Sequence, residues 1–107
     1  MAYVLFEHDG FDEIRWHRLI LRLPAVIREF GAAIARRRAE GWNVFILDEG
    51  RVAFIESADE KTSFVLRFIS MRELGEWDAL RVRIRRREWK RLRGRVSWRK
   101  FEEAMNA

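Results

Sequence analysis

Basic side chains are concentrated near the end of this 107-residue sequence. Residues 79–100 hold eleven arginines and lysines and one acid, Glu88, whereas the formal net charge of the whole chain is +5. Guanidinium groups bind phosphates through paired hydrogen bonds and stack on nucleobases. Interleaved tryptophans add stacking surfaces, as in proteins that bind single strands with little sequence preference. The pattern predicts a nucleic-acid-binding surface that comprises Trp42, Arg67, Arg81, Arg83, Arg85, Arg87, Trp89, Lys90, Arg91, Arg93, Arg95 and Trp98.

The first part of this basic tract has a period of two. Residues 79–86 alternate between apolar side chains and arginines, which predicts a strand with one buried and one cationic face. Its arginines would then form a row spaced about 7 Å apart. A helix over residues 77–92 is the alternative, because Trp77, Leu80 and Ile84 would share one helix face.

No other set of residues has the spacing of a catalytic or metal site. The absence of cysteine excludes disulfides, a thiolate zinc site and a cysteine nucleophile. His8 and His17 lie near acidic residues, but their spacing fits no standard ligand pattern. The sequence also lacks hydrolase, metalloprotease and P-loop motifs. We therefore predict a non-catalytic protein with no metal and no cofactor.

Composition restricts the class of protein further. Apolar runs are too short for a membrane-spanning helix, and the N-terminal residues Glu7 and Asp9 do not fit a signal peptide. These features predict a single cytoplasmic domain over residues 1–107. Glutamine is absent and nineteen of the 22 basic residues are arginine. Scarce thermolabile amides together with abundant charge favour a thermophilic source, and a GC-rich genome is the alternative reason for the excess of arginine.

Apolar spacing predicts the elements of the N-terminal part. Residues 2–7 fit a strand. Residues 11–23 fit a helix, since an alternating strand there requires a slip of one residue. Pro24 suits the first turn of a helix over residues 24–40, and Gly41 is placed to end it.

The remaining residues fit an antiparallel sheet. Strands are predicted over 42–48, 51–57 and 63–69, in addition to the basic strand over 79–86, and short helices over 70–77 and 97–107. The predicted fold class is therefore α+β: a four-stranded antiparallel sheet packed by N-terminal helices, with a short C-terminal helix.

The expected register defines two apolar sheet faces. Asp48 would pair with Arg51 across a Glu49-Gly50 turn, and Ser57 would pair with Ser63. The resulting phenylalanine-rich face is expected to form the core: Phe45, Leu47, Val52, Phe54, Phe64, Leu66 and Phe68. The other face includes Trp42 and Arg67, and helix 24–40 cannot cover both. We therefore expect the N-terminal segment, a ligand or a second copy to cover it, and favour a homodimer.

The layout over residues 11–90 resembles the ThermoDBP family of hyperthermophilic archaea. The resemblance lies in the helix from Pro24, the strand that begins Trp42-Asn43-Val44-Phe45 and the basic strand around Arg81-Val82-Arg83. It implies N-terminal helices on a four-stranded antiparallel sheet, a cleft with aromatic and basic residues, dimer formation and binding of single-stranded nucleic acid. The strand over residues 2–7 is not part of that plan.

The sequence thus favours a protein that binds single-stranded RNA or DNA. The main alternative is a protein-interaction module, such as a viral or mobile-element inhibitor or a ribonucleoprotein subunit, whose basic tract docks on an acidic partner. A chromatin protein that binds duplex DNA and a segment that lies on an anionic membrane are further alternatives.

Overall fold

The computed structural model describes residues 2–9 and 13–84, which form an antiparallel sheet with helices on both faces. The strand order is β2-β1-β5-β4-β3. The elements are β1 (Tyr3–His8), β2 (Ile14–Ile20), α1 (Leu23–Ala39), β3 (Asn43–Leu47), β4 (Val52–Glu56), β5 (Ser63–Ser70), a 3-10 helix (Met71–Glu76) and α2 (Asp78–Arg83).

The sheet has five strands, so the prediction of a four-stranded sheet packed by N-terminal helices is wrong. The helix predicted over residues 11–23 is replaced by β2, which pairs with β1. A β-bulge explains the error: Glu7 opposes Trp16 while His8 opposes Ile14, so Arg15 is an extra residue. The bulge places Ile14 and Leu19 in one core cluster and Trp16 in the other, so these side chains do not alternate as they would in a regular strand.

The predicted helix 24–40 is confirmed as α1. Pro24 lies in its first turn, and Val26, Phe30 and Ile34 form its buried stripe. At its end Gly41 adopts a φ of 91°. The amides of Gly41 and Trp42 donate to the carbonyls of Arg38 and Arg37 at 3.1 and 3.0 Å. This pair of bonds is a Schellman motif, which satisfies the last carbonyls of the helix.

Each sheet face has its own core. On one face, the buried stripe of α1 packs against residues that include Leu5, Ile55 and Leu66. On the other face, the 3-10 helix and α2 cover β1 and its neighbours, with Met71, Leu74, Leu80 and Ile84 packed against Val4, Phe6 and Ile69.

The prediction of a fourth strand over residues 79–86 is wrong for the described residues, because Asp78–Arg83 is helical. The helical alternative accounts for the burial: Leu80 and Ile84, four residues apart, are both buried, and Trp77 packs against the same cluster. Residues two apart do not share a helix face, so residues 81 and 83 do not form the predicted arginine row. The helix predicted over 97–107 lies outside the described residues.

The expected register holds for one strand pair and fails for the next. Phe45 opposes Phe54, as predicted. However, Glu56 opposes Ser63 and Phe54 opposes Val65, one residue away from the prediction. The loop accounts for the difference, because Ser57 pairs with Thr62: the Ser57 amide donates to the Thr62 carbonyl at 2.8 Å. A slip of one residue moves every side chain of β5 to the other face.

Candidate nucleic-acid interface

The slip in register reverses the expected roles of the two faces of β3 and β4. Phe64, Leu66 and Phe68 lie with Ile55 against α1, so the expectation that Phe45 and Phe54 belong to the same core is wrong. These two side chains face away from α1, on the side where α2 lies. No described element covers this surface, which we call the open face. It comprises Phe45, Leu47, Val52, Phe54, Val65 and Arg67, and continues at one end with Asn43, Glu56 and Ser63.

The open face keeps large apolar side chains in contact with solvent. Phe45 is 52% exposed and Leu47 is 53% exposed, while Val52, Phe54 and Val65 are half-buried. The five apolar residues belong to neither of the two core clusters. The 3-10 helix and α2 therefore cover the β1 half of this sheet side, and nothing else within residues 2–9 and 13–84 covers the β3–β4 half.

Two aromatic rings lie side by side on the open face. Phe45 and Phe54 are directly opposite each other on β3 and β4, with ring centroids 6.3 Å apart and an interplanar angle of 38°. Sheet surfaces that carry neighbouring aromatic rings can stack two or three unpaired bases. Because every base has a π-face, such stacking tolerates many sequences.

Arg67 stands at the boundary between the open and covered halves. In the sheet it lies between Phe6 on β1 and Val52 on β4. Its guanidinium carbon lies 4.8 Å from the centroid of Trp77. Its buried Nε has no hydrogen-bond partner among the described residues. The stacking on Trp77 holds a positive charge beside the aromatic pair.

The chain leaves the described region on the same side of the sheet as the open face. Ile84, the last described residue, is 4% exposed and packs on the cluster around Val4 and Phe6. The segment that follows, residues 85–100, holds nine basic residues and one acid. The described residues hold equal numbers of basic and acidic side chains, thirteen of each. The excess positive charge therefore lies in the part of the chain that follows α2.

Trp42, a predicted stacking residue, does not lie on the open face. It belongs to the α1 side, where the Arg37 guanidinium carbon lies 5.4 Å from the Trp42 ring centroid and 4.7 Å from that of Phe64. The expectation that Trp42 and Arg67 share a face is therefore wrong, because it depended on the incorrect β4–β5 register.

Arg83, a predicted phosphate ligand, contacts the protein itself. Its Nη1 and Nη2 donate to the carbonyl oxygens of Ile14 and Arg15 at 2.8 and 3.0 Å. These carbonyls belong to the β2 bulge, so Arg83 joins α2 to β2. The Arg81 side chain lies outside the described part of the structure. Eight further predicted binding residues also lie outside it: Arg85, Arg87, Trp89, Lys90, Arg91, Arg93, Arg95 and Trp98.

A concave site lies between α1 and β2, with a volume of about 470 Å³. The buried Glu7 carboxylate accepts a hydrogen bond from Trp16 Nε1 at 3.0 Å and forms ion pairs with Arg15 and Arg37 at 3.3 and 3.4 Å. These three partners come from β2 and α1. The cluster neutralises a buried charge and joins three elements, which is a structural role.

Sequence reasoning missed Phe45 and Phe54 as site residues. Their pairing across β3 and β4 was predicted, but their exposure depends on the register of β5. The available signal is the sequence Ser57-Ala58-Asp59, since a serine and an aspartate two residues apart can fix a tight loop.

Comparison of the chain with protein-family models, curated proteins and solved structures finds no match. The resemblance to the ThermoDBP family therefore stays a prediction. Within residues 2–9 and 13–84, no helix is long and apolar enough to cross a membrane. The same residues contain no group of three or more histidine, aspartate or glutamate side chains that could hold a metal ion.

Proposed function

We propose that this protein is a non-catalytic, cytoplasmic protein that binds single-stranded RNA or DNA. Bases stack on Phe45 and Phe54, Arg67 contributes charge at the edge of the open face, and the basic segment 85–100 neutralises phosphates. The observation that supports this proposal is spatial: the aromatic pair lies on the same side of the sheet as Ile84, the last described residue before the basic segment.

The proposal divides the binding energy between two parts of the chain. Base stacking contributes about 1–3 kcal/mol per base. Phosphate neutralisation makes the affinity depend on salt, with a slope of about 0.7 log units per log unit of salt for each phosphate contacted on a single strand. Aromatic variants should therefore lower the affinity and leave the salt slope unchanged, whereas variants in the basic segment should lower both.

Fluorescence anisotropy with labelled oligo-U and oligo-dT measures both effects. We expect Phe45→Leu and Phe54→Leu each to weaken binding about tenfold. Phe45→Tyr keeps the ring and should bind within about twofold of the wild type. Arg28→Ala is the control for charge alone, because Arg28 is exposed on α1, on the other side of the sheet. Circular dichroism confirms that each variant is folded.

Two results would contradict the proposal. One is the absence of binding to either oligonucleotide at low salt. The other is equal affinity for the wild type, Phe45→Leu and Phe54→Leu, which would exclude the open face from the interface. A duplex competitor that displaces the single strand at equal concentration would favour a duplex-binding protein instead.

Docking on an acidic protein is the second candidate function. The exposed Leu47 and the half-buried Val52 and Val65 give the open face an apolar character that protein interfaces share. A pull-down before and after nuclease treatment separates the two functions. Partners that remain after nuclease treatment support the protein partner, and partners that are lost support the nucleic acid.

A further inference from the structure

The two edges of the sheet are built differently. β2, at one edge, has the bulge at Arg15, further charged side chains such as Arg18, and bulge carbonyls that are occupied by Arg83. Bulges and charges are the features by which proteins prevent a sheet edge from pairing with another strand. The β2 edge is therefore protected.

β3, at the other edge, has none of these features in the part of the chain that the structure describes. It pairs with β4 over five residues without a shift in register. No charged residue or proline occurs between Asn43 and Leu47. Its consecutive side chains Phe45, Ile46 and Leu47 are 52%, 43% and 53% exposed, although they point to alternate sides of the sheet. An edge strand that is apolar on both sides and unprotected is suited to pairing with another strand.

We infer that β3 pairs with β3 of a second copy in antiparallel orientation, about a two-fold axis that passes midway between the two copies of Phe45. Directly opposite residues of an antiparallel pair lie on the same side of the sheet. One residue must therefore lie opposite its own copy, because pairing a residue with its sequence neighbour would place side chains of opposite sheet sides together. Phe45 is the middle residue of β3, so this choice pairs all five residues: Phe45 with Phe45, Val44 with Ile46, and Asn43 with Leu47.

The charges next to β3 are complementary in this arrangement. Asp48 and Glu49 follow the strand and are exposed. The two-fold axis places them beside residues 41 and 42 of the second copy, which directly follow the end of α1. The last turn of α1 carries Arg36, Arg37 and Arg38. Each acidic turn thus lies near a cationic helix end, and the symmetry repeats the contact.

The pairing would produce a ten-stranded sheet with both open faces on one side and both copies of α1 on the other. Four phenylalanine rings, Phe45 and Phe54 from each copy, would then form a continuous surface. The dimer itself follows from β3, whereas the use of this surface for a longer single strand rests on the proposed function.

Disulfide trapping tests the register. The chain has no cysteine, so Phe45→Cys introduces a single thiol per copy. At the two-fold axis the two Cα atoms would be about 4.5–5.5 Å apart, within the range that a disulfide spans. Leu47→Cys is the matched control, because its two copies would be about 13 Å apart. We expect covalent dimers for Phe45→Cys and none for Leu47→Cys under the same mild oxidant.

Light scattering after chromatography tests the dimer without cross-linking, in nuclease-treated samples. We expect the wild type to have twice the 13.0 kDa mass of the chain and Ile46→Lys to have half the wild-type mass. Glu49→Lys and Arg38→Glu should each raise the dissociation constant of the dimer about tenfold, and the double variant should restore it to within about threefold. Glu76→Lys, at the exposed end of the 3-10 helix, is the charge control and should not change it.

A monomeric wild type at every concentration, or trapping by Leu47→Cys and not by Phe45→Cys, would overturn the inference. Ile46 lies on the α1 side, so Ile46→Lys does not change the side chains of the open face. Its oligonucleotide affinity therefore tests the proposed function separately from the dimer. A dimer that binds no oligonucleotide refutes the proposed function alone, and a monomer that binds refutes the dimer alone.

Discussion

Replacement of Arg83 by alanine separates a structural role from a role in binding phosphate. The Arg83 guanidinium donates to the carbonyls of Ile14 and Arg15, at 2.8 and 3.0 Å. A hydrogen bond from a charged donor contributes about 1.5–3 kcal/mol when it is well buried. Because Arg83 is exposed, we expect about half of this for each bond. Arg83→Ala should therefore lower the free energy of unfolding by about 2 kcal/mol and Tm by roughly 10 °C.

Thermal and denaturant unfolding measure this effect, with Arg72→Ala as the control. Arg72 is an exposed arginine on the 3-10 helix, so the control removes the same charge without the two carbonyl contacts. Arg83→Lys should fall between the wild type and Arg83→Ala, because an ammonium group does not reproduce the planar fork of a guanidinium. In the same samples, anisotropy at a temperature well below Tm should show little change in oligonucleotide affinity for Arg83→Ala.

The opposite pattern would refute this reasoning. If Arg83→Ala and Arg72→Ala unfold alike, the two hydrogen bonds contribute nothing measurable to stability. If Arg83→Ala also lowers the salt slope of oligonucleotide binding by about 0.7, Arg83 contacts a phosphate. The original interpretation of Arg83 as a phosphate ligand would then be correct.

Two further predictions concern carboxylates. Glu7→Gln leaves Arg15 and Arg37 without the counter-charge of Glu7, so it should lower the free energy of unfolding by about 2 kcal/mol in denaturant titrations. The oligonucleotide affinity should stay unchanged. An unchanged free energy of unfolding would contradict the structural role of this cluster. The pKa of Asp59 is lowered below its ordinary value of 3.8, mainly by the hydrogen bond from the Ser57 hydroxyl and then by the Lys61 amide. A lowered pKa in the folded state stabilises the fold above the ordinary value, and this contribution is lost as the pH falls through the lowered pKa. An NMR titration should give a midpoint below 3.8 that Ser57→Ala raises, and equal midpoints would contradict the assignment of the cause.

Elements with a strong local signal could be predicted from the sequence. Pro24 and Gly41 mark the two ends of α1, because proline fits its first turn and glycine adopts the positive φ that follows its end. The Glu49-Gly50 turn is also confirmed. The Arg51 amide donates to the Asp48 carbonyl at 3.1 Å, and both central residues have positive φ. In both cases the residues that decide the conformation are adjacent in the sequence.

Elements that depend on distant contacts were predicted incorrectly. Arg15 is the extra residue of the β2 bulge, which places Ile14 and Trp16 in different core clusters and so breaks the alternation that identifies a strand. In α2, arginines alternate with apolar residues, which imitates a strand, but Leu80 and Ile84 are buried together only in the helical conformation. The two errors have one cause: a short segment fits both the helical and the strand period of apolar residues until its core partners are known.

The location of the candidate interface was hidden for a different reason. β4 and β5 are apolar on both sides, so hydrophobic alternation does not say which side packs against α1. Only the register decides this, and the loop after β4 sets the register. Its Ser57 hydroxyl donates to Asp59 at 2.6 Å and accepts from the Thr62 amide at 3.0 Å, which pairs Ser57 with Thr62 instead of Ser63. That single step buries Phe64 and leaves Phe45 and Phe54 facing away from α1, beside Arg67. If this argument holds, a variant that lengthens the loop by one residue should weaken the fold and the proposed oligonucleotide binding together, since both depend on the same register.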